Sequence, residues 1–76
     1  MAERLVPLKD KEVLRKLLQA GFQLVRVKGS AHYLRHPRTG RFTSVHLHGG
    51  RDIPVALLRK IVVHQAGLSI EAWNRL

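Results

Sequence analysis

The feature that most constrains the fold is the alternating pattern of residues 28–37. After a corner at Gly29 and Ser30, every second residue from Ala31 onward falls on the same side of the chain. This period of two is that of a β-strand, in which successive side chains point to opposite faces. The stretch holds one tyrosine, two histidines and two basic residues, a mixture that suits a phosphate-backbone ligand better than a purely structural core strand. We therefore expect the rest of the chain to act as a scaffold that presents one face of this strand.

Two segments with helical spacing flank the strand region. The first helix is predicted from residue 9 or 10 to residue 20, with Gly21 as its C-terminal cap. The second is predicted to begin near Pro54, with the proline in the first turn, and to end before Gly67. Ser69 can then cap a short final helix over residues 70–73. Each long helix carries an apolar stripe with helical spacing: Val13, Leu14, Leu17 and Leu18 in the first, and Leu57, Leu58, Ile61 and Val62 in the second.

Three strands are predicted between the helices, over residues 22–28, 31–36 and 41–48, with a hairpin loop at 37–40. Two amphipathic helices can cover one face of such an antiparallel sheet, which gives a two-layer α+β sandwich of order α-β-β-β-α with a short C-terminal helix. The inward-facing residues are expected to be Leu34, Val45 and Leu47. The solvent face then carries Ala31, Tyr33, Arg35, His46 and His48. This assignment requires that no β-bulge interrupts the second or third strand.

The length of the chain indicates one small domain, residues 1–76. Without cysteine, neither a disulfide nor a cysteine-based zinc site can hold it together. No apolar run approaches the roughly 18 residues of a membrane span, and the first residues lack a signal-peptide core. We therefore expect a cytoplasmic protein that makes no membrane contact. Residues 1–8 are predicted to form a loosely ordered lead-in to the first helix.

Charge limits the choice of partner. The chain has 14 lysines and arginines against 5 acidic residues, a formal net charge of +9. A domain this basic is expected to bind a polyanion or an acidic protein, and an ordinary solvated basic surface is the alternative. Arginine is the commoner of the two basic residues, and its guanidinium forms bidentate contacts with phosphate and carboxylate.

Several groups of residues, in order along the chain, resemble the HicA toxin family. They are Ala20-Gly21-Phe22, Val25-Arg26 with Lys28-Gly29-Ser30, His36-Pro37, Val45 with His48-Gly49-Gly50, and Gln65-Ala66-Gly67-Leu68-Ser69. The similarity extends from about Leu8 to Trp73. No single group is specific, and only their combination is distinctive.

The resemblance implies a double-stranded-RNA-binding-like fold, in agreement with the predicted order of elements. It also implies an mRNA-cleaving endoribonuclease of a type II toxin–antitoxin system, neutralised by a HicB antitoxin and contacting DNA only through the antitoxin complex. Members of the family carry a catalytic histidine directly after the Gly-Ser corner, where this chain has Ala31. Since alanine cannot transfer a proton, this copy is predicted to be inactive or impaired, whether the alanine is engineered or a natural loss.

RNA cleavage without a metal needs proton transfer and cations that stabilise the developing charge, and histidine suits the proton transfer. His32 is a candidate to replace the missing histidine, but on a regular strand it points to the opposite face, where a hydrogen-bonded structural histidine is the alternative. His48 is a second candidate on the outer face beside His46, with a merely solvated ring as its alternative. The residues expected to contact RNA are Lys28, Ser30, Tyr33, Arg35, Arg38 and Arg41.

No metal or other cofactor is expected. His46 and His48 share one strand face and His32 and His36 the other, but zinc needs three or four converging ligands and no acidic residue lies nearby. His36 is expected to support the hairpin before Pro37. Three functions stay open: a ribonuclease toxin, a non-catalytic RNA-binding module of the same fold, and a small protein whose basic surface only binds an acidic antitoxin.

Overall fold

A three-stranded antiparallel sheet with helices on one face forms the body of the computed structural model, which describes residues 3–76. The elements in chain order are β1 (Leu8–Lys9), α1 (Asp10–Gln19), β2 (Gln23–Lys28), β3 (Ala31–Arg35), β4 (Phe42–His46), β5 (Asp52–Ile53), α2 (Val55–Arg59) with a π-helical continuation (Lys60–Gln65), and α3 (Ile70–Asn74). The main sheet has the order β2-β3-β4, and β1 pairs with β5 in a separate ladder. The predicted α+β fold is therefore confirmed.

The core lies between the helices and the inner face of the sheet. Leu34 of β3 and Val45 of β4 are almost completely buried there, as are Leu17 of α1 and Leu58 of α2. The prediction is wrong for one residue of each apolar stripe, because Leu18 and Leu57 are each 47 % exposed. Each of them is adjacent in sequence to a fully buried leucine and so lies about 100° around the helix from it, at the margin of the contact.

The lead-in is more ordered than predicted. Leu5 is buried in the core, and Leu8 and Lys9 pair with Ile53 and Asp52 across the β1–β5 ladder. A ladder of two residues is too short to show a period in the sequence, which is why it was not predicted. Residues 1 and 2 of the predicted lead-in lie outside the described residues.

The second helix departs from the predicted regular α-helix. Pro54 precedes the first helical residue, instead of occupying the first turn, and the backbone widens into π-helical turns from Lys60. One bond of this wider spacing is donated by the Ala66 amide to the Ile61 carbonyl at 2.8 Å. Gly67 then ends the helix at φ +71°, and a Cβ there would lie 2.7 Å from the Arg41 side chain. Glycine at this position thus meets both a backbone and a packing requirement.

Lys16 lies outside the predicted apolar stripe of α1 but is buried. Its Nζ donates to the Trp73 carbonyl at 3.1 Å and lies 5.0 Å from the centroid of the indole ring. Burial lowers the pKa of this ammonium group, although it keeps a hydrogen-bond acceptor and an aromatic face. The contact links α1 to α3 and encloses Trp73, which is only 1 % exposed.

Leucine truncations in matched pairs should separate the core from the helix margins. Leu17→Ala and Leu58→Ala should each lower the free energy of unfolding by about 2–5 kcal/mol, because both side chains are fully buried. Leu18→Ala and Leu57→Ala, on the same helices, should lower it by less than about 1 kcal/mol. Urea unfolding of the four variants measures this difference, and equal losses within a pair would contradict the assigned core.

Candidate functional site

The register of β3 with its two neighbours defines the outer face of the sheet. Ala31 lies opposite Lys28 of β2 and His46 of β4. Residues directly opposite each other on antiparallel strands point to the same face, so these three positions are neighbours on one surface. β3 and β4 pair without a shift, and the bulge lies in β2 between Leu24 and Arg26. No bulge therefore interrupts β3 or β4, which are the second and third predicted strands, and the predicted assignment of their faces holds.

Position 31 keeps the predicted face, but its side chain is not open to solvent as expected. Ala31 is only 6 % exposed. Its short methyl group is almost completely covered and lies between the longer side chains of Lys28 and His46. A longer side chain at this position would rise between an ammonium group and an imidazole.

An aromatic pair occupies the middle of the outer face. The rings of Tyr33 and Phe42 are stacked at a centroid distance of 5.9 Å, and they line an open depression together with Arg26 and Lys28. Phe42 is half-exposed. Neither Phe42 nor Arg26 was predicted as a site residue, because their positions beside Tyr33 depend on the hairpin register and on the bulge.

His32 lies on the inner side of β3, opposite Val45. Its Nδ1 is 3.0 Å from the Ser30 carbonyl oxygen, and because a carbonyl can only accept, Nδ1 carries the proton. The same carbonyl accepts from the Leu47 amide at 2.9 Å. Ser30 therefore joins the start of β3 to the end of β4, and the His32 ring is held at that corner on the face away from Ala31.

His36 supports the hairpin, as predicted. Its Nδ1 accepts from the amides of Arg38 and Thr39 at 3.2 and 3.4 Å, and its Nε2 donates to the Ala20 carbonyl at 3.2 Å. The ring also meets Phe22 edge to face. Both ring nitrogens are occupied, which leaves this histidine a structural role.

His46 is the last residue of β4, whereas His48 lies in the following loop and not on the third strand, which was predicted to reach residue 48. Their rings are nearly parallel, with centroids 6.2 Å apart, and both residues are exposed. They line a pocket of about 430 Å³ between β4, the following loop and the second helix. His64, by contrast, is exposed on the second helix and does not line this pocket.

The basic residues predicted to contact RNA do not form one cluster. Lys28 lies beside Ala31, whereas Arg35 lies at the far end of β3, about 13 Å away along the strand. Arg38 is in the hairpin beyond it, and the Arg41 side chain packs against Gly67 at the end of the second helix. Strand alternation predicts the face on which a residue lies. It does not predict contacts between distant residues, such as that of Arg41 with Gly67.

Asp10 holds the loop that carries His48. Its carboxylate accepts from the His48 and Lys11 amides, both at 2.6 Å, and its own amide donates to the Arg51 carbonyl at 2.9 Å. The residue is 1 % exposed. Hydrogen bonding to the His48 amide lowers the pKa of this carboxyl below its ordinary value, although burial acts in the opposite direction. Asp10 also lies in the first turn of α1, where the helix dipole favours a negative charge.

Among residues 3–76, no group of three or more His, Cys, Asp or Glu side chains is arranged to hold a metal ion. No helix in that range is both long and apolar enough to cross a membrane.

The order of elements and the sheet pairing define a double-stranded-RNA-binding-like α+β fold. The family model of the HicA toxin of bacterial toxin–antitoxin systems matches residues 11–68, which include the whole three-stranded sheet and position 31. The chain therefore belongs to the HicA toxin family and is a toxin of a toxin–antitoxin system. A comparison with curated proteins gives no match.

Replacing Asp10 by asparagine should reduce the loss of unfolding free energy that accompanies a fall in pH. Because the folded pKa is lowered, the carboxylate contributes stability above the ordinary aspartate pKa of 3.8, and this contribution is lost as the pH falls through the folded value. Asp10→Asn should therefore be less stable than the native chain at pH 7 and lose less on acidification. Asp52→Asn, with a side chain that is 69 % exposed, is the control. Urea midpoints from about pH 7 to 3 measure the effect, and parallel curves for Asp10→Asn and the native chain would contradict it.

Proposed function

We propose that this toxin is an mRNA-cleaving endoribonuclease by type and that Ala31 leaves this copy with little or no activity. The observation that supports the proposal is the register at position 31, between Lys28 and His46 on the outer face. A proton-transferring side chain at that position would be flanked by a cation and by a second imidazole. Those are the groups that phosphodiester cleavage without a metal requires.

The chemistry follows from this arrangement. An imidazole at position 31 takes the proton of a ribose 2′-hydroxyl, and the 2′-oxygen attacks the adjacent phosphorus. The bond to the 5′-oxygen breaks, a 2′,3′-cyclic phosphate forms, and the leaving oxygen receives a proton from His46 acting as the acid. The Lys28 ammonium stabilises the charge that develops on the phosphate oxygens.

The other candidate residues take supporting roles. Tyr33 and Phe42 offer stacked rings on which an unpaired base can lie, and Arg26 lies beside them for a backbone phosphate. His32 is not a replacement base, because moving its ring to the outer face needs a one-residue slip of β3. That slip would also turn Leu34, which is fully buried, out of the core.

A HicB-type antitoxin is the proposed partner, and the outer face is its proposed binding surface. With a net charge of +9, the toxin should attract an acidic protein, and the half-exposed Phe42 gives that face an apolar centre. An antitoxin bound there would cover position 31 and exclude RNA from it.

Ala31→His should restore RNA cleavage to a chain that otherwise has almost none. Loss of a general acid or base typically lowers the rate by about 10²–10⁴-fold, so a gain of that size is expected on an unstructured RNA. Ala31→Gln is the control, since glutamine has a similar size but cannot exchange a proton in this way. Growth arrest should follow induction of Ala31→His alone.

Three results would contradict this assignment in different ways. If the native chain cuts as fast as Ala31→His and His32→Ala abolishes cutting, His32 is the catalytic residue. If Ala31→Gln is as active as Ala31→His, the side chain acts by shape alone. If Ala31→His binds RNA but does not cut it, the protein is a non-catalytic RNA-binding module of the same fold.

The antitoxin surface can be tested with a charge-matched pair. Arg35→Gln, on the outer face beside Phe42, should weaken antitoxin binding, whereas Arg59→Gln, exposed on α2, should leave it nearly unchanged. Amide hydrogen exchange of the complex should show protection of β3 and β4 around Tyr33. Protection confined to α1 and the hairpin would refute this mode of inhibition.

A further inference from the structure

The pocket beside β4 has features that the proposed reaction at position 31 does not use. Besides His46 and His48, it is lined by Arg51 from the loop and by Lys60 from the second helix. Its lining also includes two apolar residues of the same helix, Leu57, which is 47 % exposed, and Ile61. The pocket therefore combines cationic groups with an accessible apolar surface.

The positive charges in this pocket have no acidic partner among residues 3–76. The side chains of Arg51 and Lys60 form neither an ion pair nor a hydrogen bond in that range. Two carboxylates reach the pocket, but Asp10 is satisfied by backbone amides and Asp52 lies 3.5 Å from the Lys9 ammonium. The pocket is thus suited to an anion supplied from outside the chain.

The remaining polar groups suit the edge of a base. Gln65 accepts from the Thr43 hydroxyl through Oε1 at 2.6 Å, which leaves its amide NH₂ free to donate. The Ser44 hydroxyl lines the same pocket and can donate or accept. Lys60, Ile61 and Gln65 all belong to the π-helical segment. A π-helical turn within a helix is often found at a functional site, which agrees with a binding role here.

We propose that this pocket binds one nucleotide of an RNA strand. Its phosphate lies against Arg51 and Lys60, and its base packs on Leu57 with its edge toward Gln65. His46 lines this pocket and also lies opposite Ala31, about 5 Å away between Cα atoms. The pocket thus holds the nucleotide next to the scissile bond. This inference rests on the proposed ribonuclease function and adds to it a specificity subsite separate from the Tyr33–Phe42 surface.

The test is a binding measurement on the chain as it exists, followed by backbone amide NMR. The probes are a nucleoside 3′-monophosphate, inorganic phosphate, and a short RNA made resistant to cleavage by 2′-O-methylation. The nucleotide and the RNA should shift the amides of His46, His48, Leu57 and Lys60, and inorganic phosphate should bind more weakly because it lacks the base.

A charge-matched pair of variants makes the test specific. Lys60→Gln should weaken nucleotide binding about tenfold, the size expected for losing a hydrogen bond to a charged group. Lys11→Gln, an exposed lysine of α1 outside the pocket, removes the same charge and should change binding less than about twofold. Gln65→Leu should change the preference among bases without removing a charge.

Three outcomes would overturn the inference. Shifts confined to Arg26, Tyr33 and Phe42 would place the nucleotide on the aromatic surface, and equal losses in Lys60→Gln and Lys11→Gln would indicate diffuse attraction alone. Pocket shifts produced by an acidic peptide but not by the nucleotide would assign the pocket to a protein partner. Each is distinguishable from failure of the proposed function. If Ala31→His cuts RNA while the nucleotide shifts no amide of the pocket, only the proposed subsite is wrong.

Discussion

One buried carboxylate holds together the parts of the fold that surround the candidate site. Asp10 begins α1, and its bonds to the backbone of His48 and Arg51 fix the loop after β4 against the start of that helix. The loop can turn back toward the carboxylate because Gly49 and Gly50 both have positive φ, of 68° and 89°. Directly beyond the loop, β5 pairs with β1 and leads into α2. Without this carboxylate, the loop would keep the bond from the Asp10 amide to Arg51 but lose the attachment of the His48 amide to α1.

A second interior contact sets the distance between the strand and the helix that form the pocket. Thr43 is 1 % exposed on the inner face of β4, and its hydroxyl donates to Gln65 in the π-helical segment. A buried hydroxyl without a partner would be unfavourable, so this bond fixes the helix alongside the strand. The pocket thus lies between a strand and a helix that Thr43 links directly, beside a loop that Asp10 attaches to α1.

The sequence predicted those parts of the fold whose signals are local. Alternation placed Leu34 and Val45 inside, and single residues marked the helix ends, such as Ser69, whose hydroxyl accepts from the Ala72 amide. The features that were missed depend on residues far apart in the chain. Lys16 and Trp73 are separated by 57 positions and Asp10 and His48 by 38. For the site, the faces of positions 31, 33 and 46 were predictable, but the pairing of Tyr33 with Phe42 required the register of the hairpin.

Position 31 differs from the rest of the strand in what the fold requires of it. Inward-facing Leu34 is closed in by helices, so a change of size there would disturb the packing. The outer face has no second layer, as the exposed Phe42 and His46 show. Ala31, between Lys28 and His46 on this face, is not part of the hydrophobic core cluster that Leu34 and Val45 form with the helices. On the proposed mechanism, the effect of alanine at position 31 therefore falls on proton transfer.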